Sequence, residues 1–241
     1  MSAASDKFEK DVAKNINSIP GIKAERPTVG TQYSDVRLEM NRKVTWLEVK
    51  MNHTDNLSNP RVFYKSGKWQ TTYTTPAAKT AVDLLNRSND TRNFVKALAE
   101  FSGIPYNKIE IPTTKGGLKS QYAVPLDVMK EFFSQPGINR YIAEQKNFDM
   151  GKLVTEHYTI GKAEPAYYMQ AADDFYRISN KDPFKVGNKI PLLQGRGDFK
   201  VRVATRSQFY EVQAEIKIIS MPDSKYSLSP KTLKLNPFLV G

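Results

Sequence analysis

The sequence predicts an α/β (α+β) fold, a mixed β-sheet flanked by helices, with a β-rich C-terminal half. Three observations point there. Residues 5–19 repeat apolar side chains at helical spacing, with Phe8, Val12, Ile16 and Ile19 on one face. Residues 35–51 form two runs of strict alternation joined by a turn. From about residue 150 the helical pattern gives way to strand-like runs separated by Asn, Gly, Asp and Pro.

The elements follow in order. Ser5 can cap the first helix, and Pro20-Gly21 ends it. In the hairpin, Val36, Leu38 and Met40 alternate with Asp35, Arg37 and Glu39; Leu47, Val49 and Met51 alternate with Trp46, Glu48 and Lys50. A polar loop and a second hairpin around Ser66-Gly67 come next. "TPAAKTAVDLLNRS" and "NDTRNFVKALAEFSG" read as two helices, the second capped by Asn89 or Asp90 and stopped by Gly103. A Gly-rich basic loop leads into a strand, and "PLDVMKEFFSQPG" and "INRYIAEQKNF" read as helical. "AEPAYYMQAADDFYRIS", "GDFKVRVATRS" and "FYEVQAEIKIISM" read as strands. The expected division is 1–147 for a core and 148–241 for a β-rich region serving recognition or dimerisation, either as two parts or as one compact domain.

Composition narrows the chemistry. The absence of cysteine excludes thiolate catalysis, disulfides and Cys-ligated zinc. Two histidines, His53 and His157, leave little for a His-based hydrolase or a His-rich metal centre. No apolar run reaches the roughly 20 residues of a membrane helix, and the N-terminus lacks a secretory apolar core, so an intracellular, cytoplasmic protein without a membrane partner is expected. The net charge of +11 favours a polyanionic partner, because Lys and Arg release condensed counterions when they meet phosphates. The charge is spread along the chain rather than gathered in a tail.

The hairpin carries the candidate chemistry. With Asn41-Arg42 as its turn, Asp35 faces Glu48 across the strands and Lys50 lies one step along the same face. Like charges in direct opposition destabilise a plain hairpin, and a cation between them would reverse that. The contrasting reading is an ordinary solvated sheet face. Acid-x-Lys recurs at Glu144, Asp198, Glu215 and Asp223. Only the hairpin holding Asp198, Glu215 and Lys217 rivals the first, and little chain follows it to cover a sheet.

Residues 5–125, with "SDVRL" and "LEVK" set after a helix and before further strands and helices, resemble the PD-(D/E)XK (restriction-endonuclease-like) nuclease superfamily. The resemblance implies an α-β-β-β-α core and a Mg²⁺-dependent DNA endonuclease, with Mn²⁺ able to substitute. It implies that Asp35 and Glu48 hold the metal and that Lys50 positions the attacking water. Glu9, in the first helix, matches a further acid often found there. Ser34 stands where the family commonly has proline. Restriction-type, homing-type and phage-encoded or bacterial enzymes fit this outline, and cutting both strands of a duplex makes a homodimer the expected assembly. Lys115 and Lys119 around paired glycines, Lys65 and Lys68 beside Trp69, and Arg196 are candidate nucleic-acid contacts. The alternatives are a basic protein that binds nucleic acid without cutting it and a structural or assembly protein.

Overall fold

The computed structural model describes residues 3–27, 33–54, 56–112 and 120–239. The chain forms two compact units, and neither is continuous in sequence. The first gathers residues 1–55, 149–197 and 218–241; the second gathers 56–148 and 198–217. The linear cut expected at 147/148 is drawn differently from these units, because the second unit is an excursion out of the first and the last segment returns.

The first unit begins with α1 (Ala3–Asn17) and the strands β1 (Ile22–Glu25), β2 (Val36–Met40) and β3 (Lys43–Lys50). After the excursion it continues with α5 (Gly151–Thr159), β8 (Ala166–Ala171) and β9 (Asp174–Arg177). The sheet runs β1-β2-β3-β8-β9. β3 and β8 are parallel, and every other neighbouring pair is antiparallel. The parallel pair needs a crossover, and α5 lies on it. One sheet face buries Val36, Leu38, Leu47 and Val49 with Val12 and Ile16 of α1. The other face carries Trp46, Glu48 and Lys50, and α5 reaches it through Tyr158. The C-terminal segment adds Tyr226 and Leu228 to the α1-side core.

Leu38 has no exposed surface, so truncating it leaves a cavity directly beneath the hairpin. Leu38→Ala is expected to lower unfolding free energy by about 2–5 kcal/mol, read from the urea midpoint.

The second unit holds β4 (Asn56–Ser58), β5 (Arg61–Lys65), β6 (Lys68–Gln70), α2 (Pro76–Arg87), α3 (Asn89–Ser102), α4 (Leu126–Phe132) and β7 (Tyr141–Asp149). Most of β10 (Arg196–Thr205) and β11 (Tyr210–Ser220) complete it. Its sheet runs β6-β5-β11-β10-β7, with β4 also on β11. Gly103 ends α3 in the left-handed conformation at φ 68°, as its position suggests.

Two expectations need correction. "INRYIAEQKNF" is not a helix but most of β7. Pro136-Gly137 separates it from α4, Asn147 at φ 54° stops helical continuation, and the edge of β10 offers backbone partners, with Val203 donating to the Arg140 carbonyl at 3.0 Å. Residues 151–159 are a helix within the stretch expected to be strand-rich. Leu153, Val154, His157 and Tyr158 are its buried residues, at i, i+1, i+4 and i+5. The helices α2 and α3 belong to the second unit, where α2 packs on β6. Among the described residues, no helix is long and apolar enough to cross a membrane. Among the described residues the architecture is a mixed α/β one with two sheets and five α-helices, broadly α+β.

Candidate functional site: two carboxylates and two lysines

Asn41 and Arg42 sit at φ 50° and 62°, the paired left-handed geometry of a two-residue hairpin turn. The register then runs from Met40↔Lys43 to Val36↔Leu47. One step further sets Asp35, at the mouth of β2, against Glu48. The Val49 amide donates to Asp35 Oδ2 at 2.8 Å and anchors that carboxylate to the neighbouring strand.

Glu48 is 4% exposed, so its end of this face is covered, whereas Arg37 and Glu39 nearer the turn remain partly exposed and pair with each other. The contrasting reading of a solvated charged face therefore holds beside the turn and fails at Glu48. Glu48 Oε1 pairs with Lys50 Nζ at 2.7 Å and accepts a hydrogen bond from the Tyr158 hydroxyl at 3.2 Å. Glu48 Oε2 is buried, with Lys162 as an ion-pair partner 4.0 Å away, and the Ser34 hydroxyl also helps to hold Glu48 ionised. The Lys162 ammonium also donates to the Tyr33 carbonyl at 3.4 Å and lies over the Tyr158 ring. Two lysines therefore flank one glutamate.

The electrostatics divide the two acids. Burial, then the charge of Glu48, push Asp35 up to about 7, against the opposing pull of Lys50 and the Val49 amide. Burial also pushes Glu48 up, but Lys50 and Lys162 outweigh it and hold Glu48 at about 2. Burial would lower Lys50, yet Glu48 keeps it well above the ordinary lysine value. Lys50 is thus a fixed cation, suited to stabilising negative charge and donating hydrogen bonds rather than to accepting a proton. His157 is pushed down to about 4 by burial and then by Lys162, so it is neutral at pH 7; its Nδ1 has no hydrogen-bond partner.

The other expected residues are placed as follows. Glu9 is buried and bound to Arg26 at 2.5 Å, with Ser5 donating at 3.3 Å; its charge adds a small upward push on Asp35. Lys65 pairs with Glu110 at 3.7 Å, and Lys68 is exposed at the start of β6, both in the second unit. Trp69 is core. Arg196 opens β10 and is exposed, and it belongs to the first unit. Lys115 and Lys119 lie outside the described residues. In the rival hairpin, Arg202 neutralises Glu215 at 2.7 Å, and Asp198 accepts from the Asn147 amide at 3.0 Å. Those acids already have partners.

Sequence reasoning missed Tyr158 and Lys162. They stand more than a hundred residues beyond Glu48, on and just after a helix read as part of a strand-rich region. The one available signal was the i, i+4 pairing of Val154 with Tyr158 and of Leu153 with His157. Among the described residues, no group of three or more His, Cys, Asp or Glu side chains is placed to hold a metal ion. Comparison with known protein families, characterised proteins and solved structures gave no match.

Proposed function

We propose that the Asp35–Glu48–Lys50 site hydrolyses phosphodiester bonds in DNA, as a Mg²⁺-dependent endonuclease with a restriction-endonuclease-like core. The observation that carries this reading is that the Asp35 carboxyl is held beside the buried carboxylate of Glu48, with Lys50 bound to the latter. Two like charges set side by side away from water are costly, and a cation between them would offset that cost. The order α1-β1-β2-β3, then α5-β8, in the first unit supports the family resemblance, with the acid at the mouth of β2 and Glu-x-Lys on β3.

Asp35 and Glu48 suit a hard cation of the Mg²⁺ type. Such an ion takes oxygen ligands, keeps several waters, and is commonly held by one or two carboxylates plus substrate phosphate. Two acids rather than three fit that pattern. When bound, the ion would supply charge neutralisation at the phosphate and a more acidic water. The chain's own part is clearer. The Val49 amide and Tyr158 hydroxyl orient the two carboxylates, and Lys50 holds positive charge beside them to steady the attacking water and the phosphate oxygens. Hydrolysis adds water oxygen to phosphorus and releases the 3′ oxygen with a proton, leaving a 5′-phosphate as the resemblance implies. A homodimer would place one such site on each strand.

The test is cleavage of supercoiled plasmid and linear duplex with Mg²⁺, Mn²⁺ or EDTA. Cutting that needs metal and disappears in Asp35→Ala and Lys50→Ala, but survives in Glu215→Ala, is the expected result. DNA binding without any cutting would favour a non-catalytic binder instead. Cutting that persists in both hairpin variants would move the chemistry elsewhere.

A further inference from the structure

The second unit carries 17 Lys and Arg against 10 Asp and Glu, the larger part of the chain's excess charge. Much of its sheet is internally neutralised. Arg61 pairs with Glu211, Lys65 with Glu110, Arg202 with Glu215, and Lys146 and Lys200 with Glu144. Those cations are poor candidates for a polyanion, because binding would first have to break an existing pair.

One end of the sheet differs. At the turn between β10 and β11, Arg206 donates its amide to the Phe209 carbonyl at 2.7 Å. Lys130, on α4, donates its ammonium to the Ser207 carbonyl at 3.3 Å. Arg140, just before β7, donates its guanidinium to the Thr205 hydroxyl at 3.1 Å and lies over the Phe133 ring. Lys130 and Arg140 therefore reach Ser207 and Thr205 from two other elements, on either side of Arg206 in the chain, and all three cations are exposed. Neutral acceptors position Lys130 and Arg140, and among the described residues none of the three forms an ion pair with a carboxylate. Asp127 and Glu131 lie on the same helix as Lys130 without pairing to it.

We propose that Lys130, Arg140 and Arg206 form a docking site for the phosphodiester backbone of DNA. The occupant follows from charge and geometry. Cations pre-positioned by neutral groups keep their full charge for a ligand, and an arginine fork matches phosphate oxygens. The proposal rests on nucleic acid being the substrate of the Asp35–Glu48–Lys50 site, but it concerns binding and is read separately from cutting.

The experiment is fluorescence-anisotropy titration of a labelled 20-base-pair duplex in EDTA across a range of NaCl. Wild type is compared with the triple variant Lys130→Gln/Arg140→Gln/Arg206→Gln. A control removes the same charge from the helices of this unit, Lys79→Gln/Arg87→Gln/Lys96→Gln. The patch variant should weaken binding roughly tenfold near 0.1 M salt and flatten the log K against log salt slope by about 2–3. The helix control should change both far less. Circular dichroism checks folding, and the single exposed turn variant Arg206→Glu repeats the comparison with minimal disturbance. Equal losses in patch and control variants would mean bulk charge alone and overturn the site, as would an unchanged slope in the patch variant or no salt-dependent binding by wild type. A flattened slope together with no metal-dependent cleavage would keep this site and remove the nuclease reading. Cleavage by wild type with an unchanged patch slope would do the reverse.

Discussion

Asp35→Asn is expected to abolish DNA cleavage and, at the same time, to make the metal-free protein more stable at pH 8. The reasoning begins with the geometry. Asp35 faces the ionised Glu48 across the hairpin, and burial plus that charge raise it from an ordinary value of 3.8 to about 7. A carboxyl raised in the folded state binds more protons there than in the unfolded chain. Stability from this group therefore increases as pH falls through about 7 toward 4, and above 7 the folded state carries the full cost of the second charge. Over three pH units that cost is on the order of 4 kcal/mol. Asparagine removes the charge while its side-chain oxygen still accepts from the Val49 amide. At pH 8 the variant should exceed wild type by about 2–4 kcal/mol in urea unfolding, and the difference should vanish near pH 4. Saturating Mg²⁺ at pH 8 should raise the melting temperature of wild type but not of the variant. Cleavage should fall on the order of 10³-fold or more. A variant less stable than wild type at pH 8, or a gain independent of pH, would show that Asp35 contributes structure rather than stored repulsion.

That stored repulsion also explains how much of the site could be read from the chain. Asp35, Glu48 and Lys50 were legible because a two-residue turn at Asn41-Arg42 sets the register, and period-two alternation then determines which side chains share a face. The covering of that face was not legible. It depends on α5, which reaches the hairpin only after the chain has built a second unit of its own. Leu153, Val154, His157 and Tyr158 carry helical periodicity over only nine residues, beside runs rich in β-branched and aromatic residues. β7 failed in the opposite sense. Its residues tolerate a helix locally, and the open edge of β10 decides the outcome. Local pattern therefore located the acids, whereas long-range packing supplied Tyr158 and Lys162 and converted a surface hairpin into a buried charge cluster.

The same burial makes folding sensitive to Lys50. Its ammonium, 2.7 Å from Glu48 Oε1, compensates a carboxylate that is almost entirely out of water. Lys50→Met keeps most of the side-chain volume and removes the charge, so Glu48 is left with Tyr158 and the more distant Lys162 at 4.0 Å. Breaking a buried pair from one side typically costs 3–5 kcal/mol, because the remaining charge is stranded. About 3 kcal/mol is expected here, since Lys162 offsets part of the loss. Removing both charges should recover most of it. Glu48→Gln/Lys50→Met is expected to be at least 2 kcal/mol more stable than Lys50→Met alone, a coupling measured by a double-mutant cycle in urea. Neither variant should cut DNA. If the double variant proved no more stable than the single one, the lysine would act through packing of its aliphatic stem, and the account of Glu48 as an ion held in place by its two flanking lysines would have to be given up.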